Sequence, residues 1–302
     1  MAKKKTGKAK KEVSIETDAE ENGSENKDAV EDTHEDNSEI TTILDPEKEE
    51  RGFWSALALA AILAFCFRIF LYQPFNIPSS SMYPNLLIGD YLFVSKLSYG
   101  YSRFSFPDFL HVDFRGRIFE KQPERGDIAV FRQPHERGID YIKRIIGLPG
   151  DTVQMRSGEL YINGERVPRT FIDIREHDDE GVIETFSKYE TTLPNGVTHH
   201  IYEKSDDEYY DNTPLFTVPD GHYFFMGDSR DASLDSRAPD RVGMIPKDNL
   251  IGRATIIFFS TAGIGDSCPV REGFFAHPRM LGCVVYHSVK NIRYRRIFRR
   301  IR

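Results

Sequence analysis

The first 52 residues contain no phenylalanine, tyrosine or tryptophan and few aliphatic side chains. Such a stretch cannot bury enough apolar surface to offset chain entropy, which excludes a folded domain there and predicts disorder over residues 1–52. It opens with a lysine cluster (Lys3 to Lys5, Lys8, Lys10, Lys11) and turns acidic through "EENGSENKDAVEDTHEDNSE". The formal net charge of −7 therefore says more about this solubilising or spacing tail than about the folded part. Cysteine is also scarce, with Cys66, Cys268 and Cys283 the only three. Outside the apolar run that holds Cys66, one bridge at most can form, between Cys268 and Cys283, and spacing alone fixes no geometry for it. Internal repeats are absent, and no long amphipathic helix follows residue 72, so the remainder is expected to be mainly antiparallel β.

Only one run is apolar for long enough to cross a bilayer. "FWSALALAAILAFCFRIFLY", residues 53–72, carries Arg68 as its single charge and spans about 20 residues, the length a helix needs at ~1.5 Å per residue. Trp54 and Tyr72 suit the two interfaces, and Arg68 lies close enough to one end to snorkel. A buried soluble helix would show a polar face, which this run lacks. A cleavable signal peptide would carry its small-residue site after the run, whereas Ala58-Leu59-Ala60 falls inside it. The run thus reads as a retained anchor. Lys48 and Arg51 precede it and no Lys or Arg follows within the next twenty residues, which predicts a cytoplasmic N-terminus and an extracytoplasmic domain over residues 73–302.

In that domain short runs rich in Val, Ile, Phe and Tyr read as strands: "DYLFVSK", "DIAVFRQ", "DYIKRIIGL", "DTVQMR", "ELYINGERV", "HYFFMGD" and "GRATIIFFS". Asn163-Gly164 suits a type I′ hairpin turn, and "RSGE" at residues 156–159 is a weaker turn signal. Residues 171–219 are more polar and read as an extended hairpin or loop excursion. At the C-terminus, "NIRYRRIFRRIR" places Tyr294, Ile297, Phe298 and Ile301 within an arc of roughly 100° when wound as a helix. Its arginines fall opposite. Of three readings of residues 291–302, a frayed basic tail, a helix docked on its own domain and a basic amphipathic helix lying at the headgroup boundary of an anionic bilayer, the last is favoured.

Three segments concentrate the chemistry: "IPSSSMYPNLLIGDYLFVSK" (residues 77–96), "RGDIAVFRQPHERGIDYIKRIIGLPGD" (125–151) and "GHYFFMGDSRDASLDSR" (221–237). Three serines flanked by prolines would be solvated linker, except that Met82, Tyr83 and an apolar stretch follow at once. A serine nucleophile needs a base poised near working pH. None of the nine histidines sits in a motif that pairs it with Ser81, and His222 is the best placed of them. Lysine can serve if burial lowers its pKa from the usual ~10.4. Lys143 is the one lysine inside a convincingly apolar strand, sharing a face with Tyr141 and Ile145 while Ile142 and Arg144 point the other way.

The segments, in this order behind an anchor, resemble bacterial type I signal peptidases, membrane-bound serine proteases of the Ser-Lys dyad class. The resemblance covers about residues 70–260 and is strongest in "IPSSSMYPNLLIGDYLFVSK", "RGDIAVF", "DYIKRIIGLPGD" and "MGDSRDASLDSR". It implies an antiparallel β-rich catalytic domain of the signal-peptidase/LexA-like type, and removal of signal peptides from preproteins after an Ala-X-Ala site. By the same resemblance Ser81, the serine before the methionine, is the nucleophile and Lys143 the general base. Ser79 supplies an oxyanion-hole hydroxyl beside the Ser81 backbone N–H, and Ser233 orients the base through a hydrogen bond. Asp228 pairs with Arg144 and Asp235 with Arg237 as scaffold. Ile77, Pro78, Met82, Leu86, Tyr141 and Ile142 would line the substrate pockets. Ser80 stands where the family commonly has glycine, and Ser229 and Ala232 depart from its usual "GDNRDNS". Preproteins and the lipid bilayer are the implied partners; no cofactor, metal or nucleic acid is implied.

Other readings fit less well. A LexA-like self-cleaving repressor would need a DNA-binding helical domain that residues 1–50 cannot form. A penicillin-binding acyltransferase would need Ser-x-x-Lys opening a helix, and Ser81 is followed by Met-Tyr-Pro. A membrane-tethered binding module would have no need to keep Ser79, Ser81, Lys143 and Ser233 together.

Overall fold

The computed structural model describes residues 46–136, 138–179, 182–262 and 290–301. The tail over residues 1–45 and both Cys268 and Cys283 lie outside the described residues, so the disulfide expectation does too; Cys66 is a free thiol. A single helix, α1 (Pro46–Phe70), opens the described chain. Within Glu50–Phe70 an 18-residue window has a mean hydropathy of 2.0 with only 6% of it buried, so the helix is long and apolar enough to cross a membrane. The helix ends at Phe70, where Tyr72 already starts a strand. Its last carbonyls, which no intrahelical donor can reach, are met from the domain. Lys96 Nζ donates to the Arg68 and Ile69 carbonyls at 3.2 and 3.1 Å, and Tyr101 donates to the Phe70 carbonyl at 2.6 Å. A lysine among C-terminal carbonyls also suits the helix dipole.

Fifteen strands follow among the described residues. They are β1 (Tyr72–Asn76), β2 (Asp90–Ser95), β3 (Ile128–Arg132), β4 (Asp140–Gly147), β5 (Thr152–Arg156), β6 (Glu159–Ile162), β7 (Glu165–Arg166) and β8 (Arg169–Asp179), then β9 (Val182–Thr192), β10 (Thr198–Glu203), β11 (Phe216–Thr217), β12 (His222–Met226), β13 (Ile245–Pro246), β14 (Leu250–Ser260) and β15 (Arg299–Arg300). The main sheet runs β1-β2-β14-β3-β4-β12-β13, with β15 added to β14, and all its pairs are antiparallel. Each run singled out in the sequence for its alternation and β-branched content forms a strand. The Asn163-Gly164 turn has φ of 53° and 81°, the left-handed pair that a type I′ hairpin requires. Most of the polar excursion forms a small sheet, β10-β9-β8, and its end returns as β11 to pair with β5.

Pleating sends successive residues to opposite faces, and here both faces are covered. On β3, Ile128 and Val130 join a cluster with Ile77, Met82, Leu86, Leu92 and Ile257, while Ala129 and Phe131 join Ile145, Tyr223 and Phe225 on the other side. Met82 and Leu86 explain why the serine run is not linker. They pull the chain after Ser81 into the core and so fix the serine at its rim.

The helix expected at the C-terminus is not formed. Residues 291–301 form no amphipathic helix; a short 3₁₀ turn (Tyr294–Arg296) leads into β15, which pairs with Ile256 and Ile257 of β14. Phe298 N–H donates to the Ile257 carbonyl and Ile301 N–H to the Thr255 carbonyl, at 2.7 and 2.9 Å. An available strand edge and a buried carboxylate decide the conformation. Ile301 packs on the core and Arg296 is buried against Asp90, whereas Tyr294 and Phe298 are exposed. The apolar residues that share a helical stripe in projection thus part company in space.

Candidate active site

Ser81 lies in the connection between β1 and β2. The neck of that loop is closed by Ile77 N–H to the Asp90 carbonyl (2.9 Å) and Gly89 N–H to the Ile77 carbonyl (3.0 Å). Within it Tyr83 N–H bonds the Ser80 carbonyl and Leu86 N–H the Met82 carbonyl, a single helical turn that presents the Ser81 side chain toward β4. There Ser81 Oγ and Lys143 Nζ are hydrogen-bonded at 2.5 Å, and both residues are buried. Burial pushes the Lys143 amine down to about 8; Asp235 and Asp228 pull it back up in part, and Arg237 adds a smaller downward push. Its Nζ also lies 5.6 Å from the centre of the Tyr141 ring, on the face shared by those two residues.

Ser79 Oγ lies 3.3 Å from Ser81 Oγ on the exposed side of the loop. Ser233 Oγ is buried and has no hydrogen-bond partner among the described residues, so the bond to Lys143 that the resemblance implies is not formed. It is nevertheless close to the Ser81 backbone. A Cβ placed on Gly227 would collide with both the Ser233 side chain and the Ser81 carbonyl. Only a glycine permits that three-way approach.

The segment after β12 acts as a buried electrostatic frame. Arg144 grips Asp228 through two bonds of 2.8 Å and also donates to the Gly126 carbonyl. Arg237 grips Asp235 through two bonds of 2.9 Å, one to each carboxylate oxygen, and Oδ2 also accepts the Gly227 N–H. Burial would raise the Asp235 carboxyl, but Arg237 and the Gly227 N–H outweigh it and hold it below its ordinary range. Ser229 N–H donates to the Ser81 carbonyl at 3.1 Å, which ties the frame to the Ser81 loop.

Of the pocket candidates, Ile77, Met82 and Leu86 are buried in the core, Tyr141 and Ile142 are partly buried, and Pro78 is exposed. His222 stands apart, its Nδ1 3.0 Å from the Asp220 carbonyl at the start of β12, so the alternative triad has no geometry. Sequence reasoning passed over three groups near the site. His199 is buried with Nε2 3.8 Å from Asp228 Oδ1, and burial, then Arg144 and Arg230, push it far below its ordinary value. Asn85 donates to Asp228, and Arg296 reaches the loop from the end of the chain. A polar residue in a loop and one arginine among six carry no local signal of either contact.

Residues 51–259 match the family described as Signal peptidase, peptidase S26. Signal peptidase I of Rickettsia conorii is 42% identical over 222 residues, covering 71% of this chain and 81% of that protein. Signal peptidase I of Rickettsia canadensis is 42% identical over 231 residues, covering 74% and 85%. A solved signal peptidase I from Enterococcus faecalis, 28% identical, covers 44% of this chain and 97% of its own at a TM-score of 0.26, a likeness too weak to bear on the fold. With a match across more than half its length and relatives of this identity and coverage, the chain belongs to the signal peptidase family, peptidase S26.

Proposed function

We propose that this protein is a membrane-anchored serine endopeptidase that removes signal peptides from exported preproteins, with Ser81 as nucleophile and Lys143 as general base. The observation that carries the reading is the 2.5 Å contact between the two side chains, made by a lysine whose pKa is held at about 8. Lys143 takes the Ser81 proton as Oγ attacks the scissile carbonyl, and the ammonium then protonates the leaving amine. Water attacks the resulting acyl-enzyme with Lys143 again as base. The Ser79 hydroxyl and the Ser81 backbone N–H are the donors assigned to the oxyanion.

The substrate would bind as an added strand. β12 pairs with β4 only from Arg144 onward, leaving Asp140 to Lys143 paired with β3 alone. An extended peptide on that free edge would lie beside the dyad. Cleavage after Ala-X-Ala follows if Ile77, Met82 and Leu86 form the floor of shallow pockets walled by Pro78, Tyr141 and Ile142. The helix α1 would hold the domain at the outer face of the cytoplasmic membrane, with the N-terminus inside. The test is to incubate detergent-solubilised protein with a precursor carrying Ala-X-Ala. A shortened product that disappears with Ser81→Ala and with Lys143→Ala supports the reading, and cleavage that persists in either variant rejects it.

A further inference from the structure

The Ser81 loop is fastened on two sides by groups that touch no reacting atom. Asn85, four residues after the serine, uses both N–H groups of its amide, donating to Asp228 Oδ2 at 2.8 Å and to the His200 carbonyl at 2.7 Å. Asp228 is in turn held by Arg144, the residue next to Lys143 on β4. One side-chain amide therefore joins the loop bearing Ser81 to the strand bearing Lys143. Behind the loop stands Arg296, from the far end of the chain. Its guanidinium donates to the Asn85 carbonyl at 2.9 Å and to both oxygens of Asp90, at 3.0 and 2.5 Å. Asp90 is fully buried and closes the loop from within, accepting the Leu87 N–H at 2.8 Å and the Ser260 hydroxyl at 2.6 Å.

We propose that Asn85 and Arg296 are positioning residues, which set the Ser81–Lys143 separation by pinning the loop to Asp228 on one side and to the C-terminal segment on the other. The inference rests on the dyad reading above. It makes the last residues of the chain part of the catalytic apparatus, although they lie more than two hundred residues from the serine. Neutral Asn85 suits its place because two donors are needed there, one toward a carboxylate. Arginine suits position 296 because only a planar fork can span a carboxylate and a carbonyl together.

The experiment uses the full chain in detergent with the Ala-X-Ala precursor, comparing wild type, Ser81→Ala, Asn85→Leu, Asn85→Ala, Arg296→Gln and Arg296→Lys. Rates are expressed per folded molecule, with the folded fraction taken from near-UV circular dichroism. Misplacing a nucleophile by about 1 Å can cost ~100-fold, so Asn85→Leu and Arg296→Gln are expected to lower kcat by about 10- to 100-fold with KM within about twofold. Arg296→Lys keeps the charge but not the fork and should recover part of the loss. The acid limb should move as well in both Asn85 variants. Lys143 faces Asp228 and Asp235, Arg237 and the Tyr141 ring. With its Asn85 donor gone, the Asp228 charge is less satisfied and favours the ammonium more, so the limb shifts to higher pH. Should a leucine or glutamine variant fail to fold, Asn85→Ala and Arg296→Lys carry the same comparison. Unchanged kcat in the folded variants overturns the proposal, as do losses that only track the folded fraction while the pH profile stays put. Cleavage by Ser81→Ala would overturn the dyad reading itself, a result distinct from either.

Discussion

Lys143 Nζ meets Ser81 Oγ at 2.5 Å although 62 residues separate them in the chain. Two different structural problems are solved at that contact. The serine stays at the rim of a core that swallows the methionine after it, and the lysine is dry enough to serve as the base proposed above. The dry environment has consequences that can be measured.

The first concerns pH. If Lys143 is the base proposed above, activity needs its neutral amine and should be present above the folded-state pKa and lost below it. With Lys143 held at about 8, kcat/KM is expected to fall tenfold per unit on the acid side of that value, instead of near 10.5. A profile of precursor cleavage from pH 6 to 10 checks this. A limb near the ordinary histidine range that disappears with His222→Ala would contradict it.

The second concerns stability. The unfolded chain binds a proton at Lys143 up to the model-peptide value of 10.5, whereas the folded chain releases it from about 8. Stability should therefore rise with pH between those values, and at neutral pH the buried amine costs about 3 kcal/mol. Lys143→Met removes that cost while filling the same space. It is expected to abolish cleavage and to raise the thermal midpoint at pH 7, by an amount equivalent to about 1–3 kcal/mol. A lower midpoint would show that Asp228 and Asp235 depend on the ammonium.

A third prediction addresses the frame. Asp228→Leu strands Arg144 without its carboxylate in a fully buried site, and should cost about 3–5 kcal/mol. The pair Arg144→Met with Asp228→Leu should cost less than either single change, because no uncompensated charge remains. Chemical denaturation of the four proteins forms the cycle.

The fourth concerns Gly227. A methyl group there meets the Ser233 side chain and the Ser81 carbonyl together. Gly227→Ala should displace the nucleophile and reduce kcat by about 100-fold. Its stability cost should be about 1–3 kcal/mol, as expected for overpacking. Steady-state cleavage and a melt separate the two effects.

Much of this was readable in the residues. Strand positions followed from local pattern, because alternation, β-branched content and the Asn163-Gly164 turn act over a few residues. The apolar helix followed from length and composition for the same reason. Ser81 and Lys143 could be named from motifs, though a motif carries no distance. The C-terminal segment shows the limit. Its helical stripe of Tyr294, Ile297, Phe298 and Ile301 is real in projection, yet the edge of β14 and the buried carboxylate of Asp90 offered a better use for the same backbone and for Arg296.

By itself, then, the sequence determined which segments would be strands, where a membrane-length helix lies, and which side chains could do the chemistry. Those properties are local, set by side-chain shape, polarity and turn geometry within a few residues. Tertiary structure alone decided that Lys143 would be desolvated, that Asn85 would donate to Asp228, and that Arg296 would close the back of the Ser81 loop. Desolvation and charge pairing depend on what surrounds a group in space, and the groups that surround these come from every part of the chain.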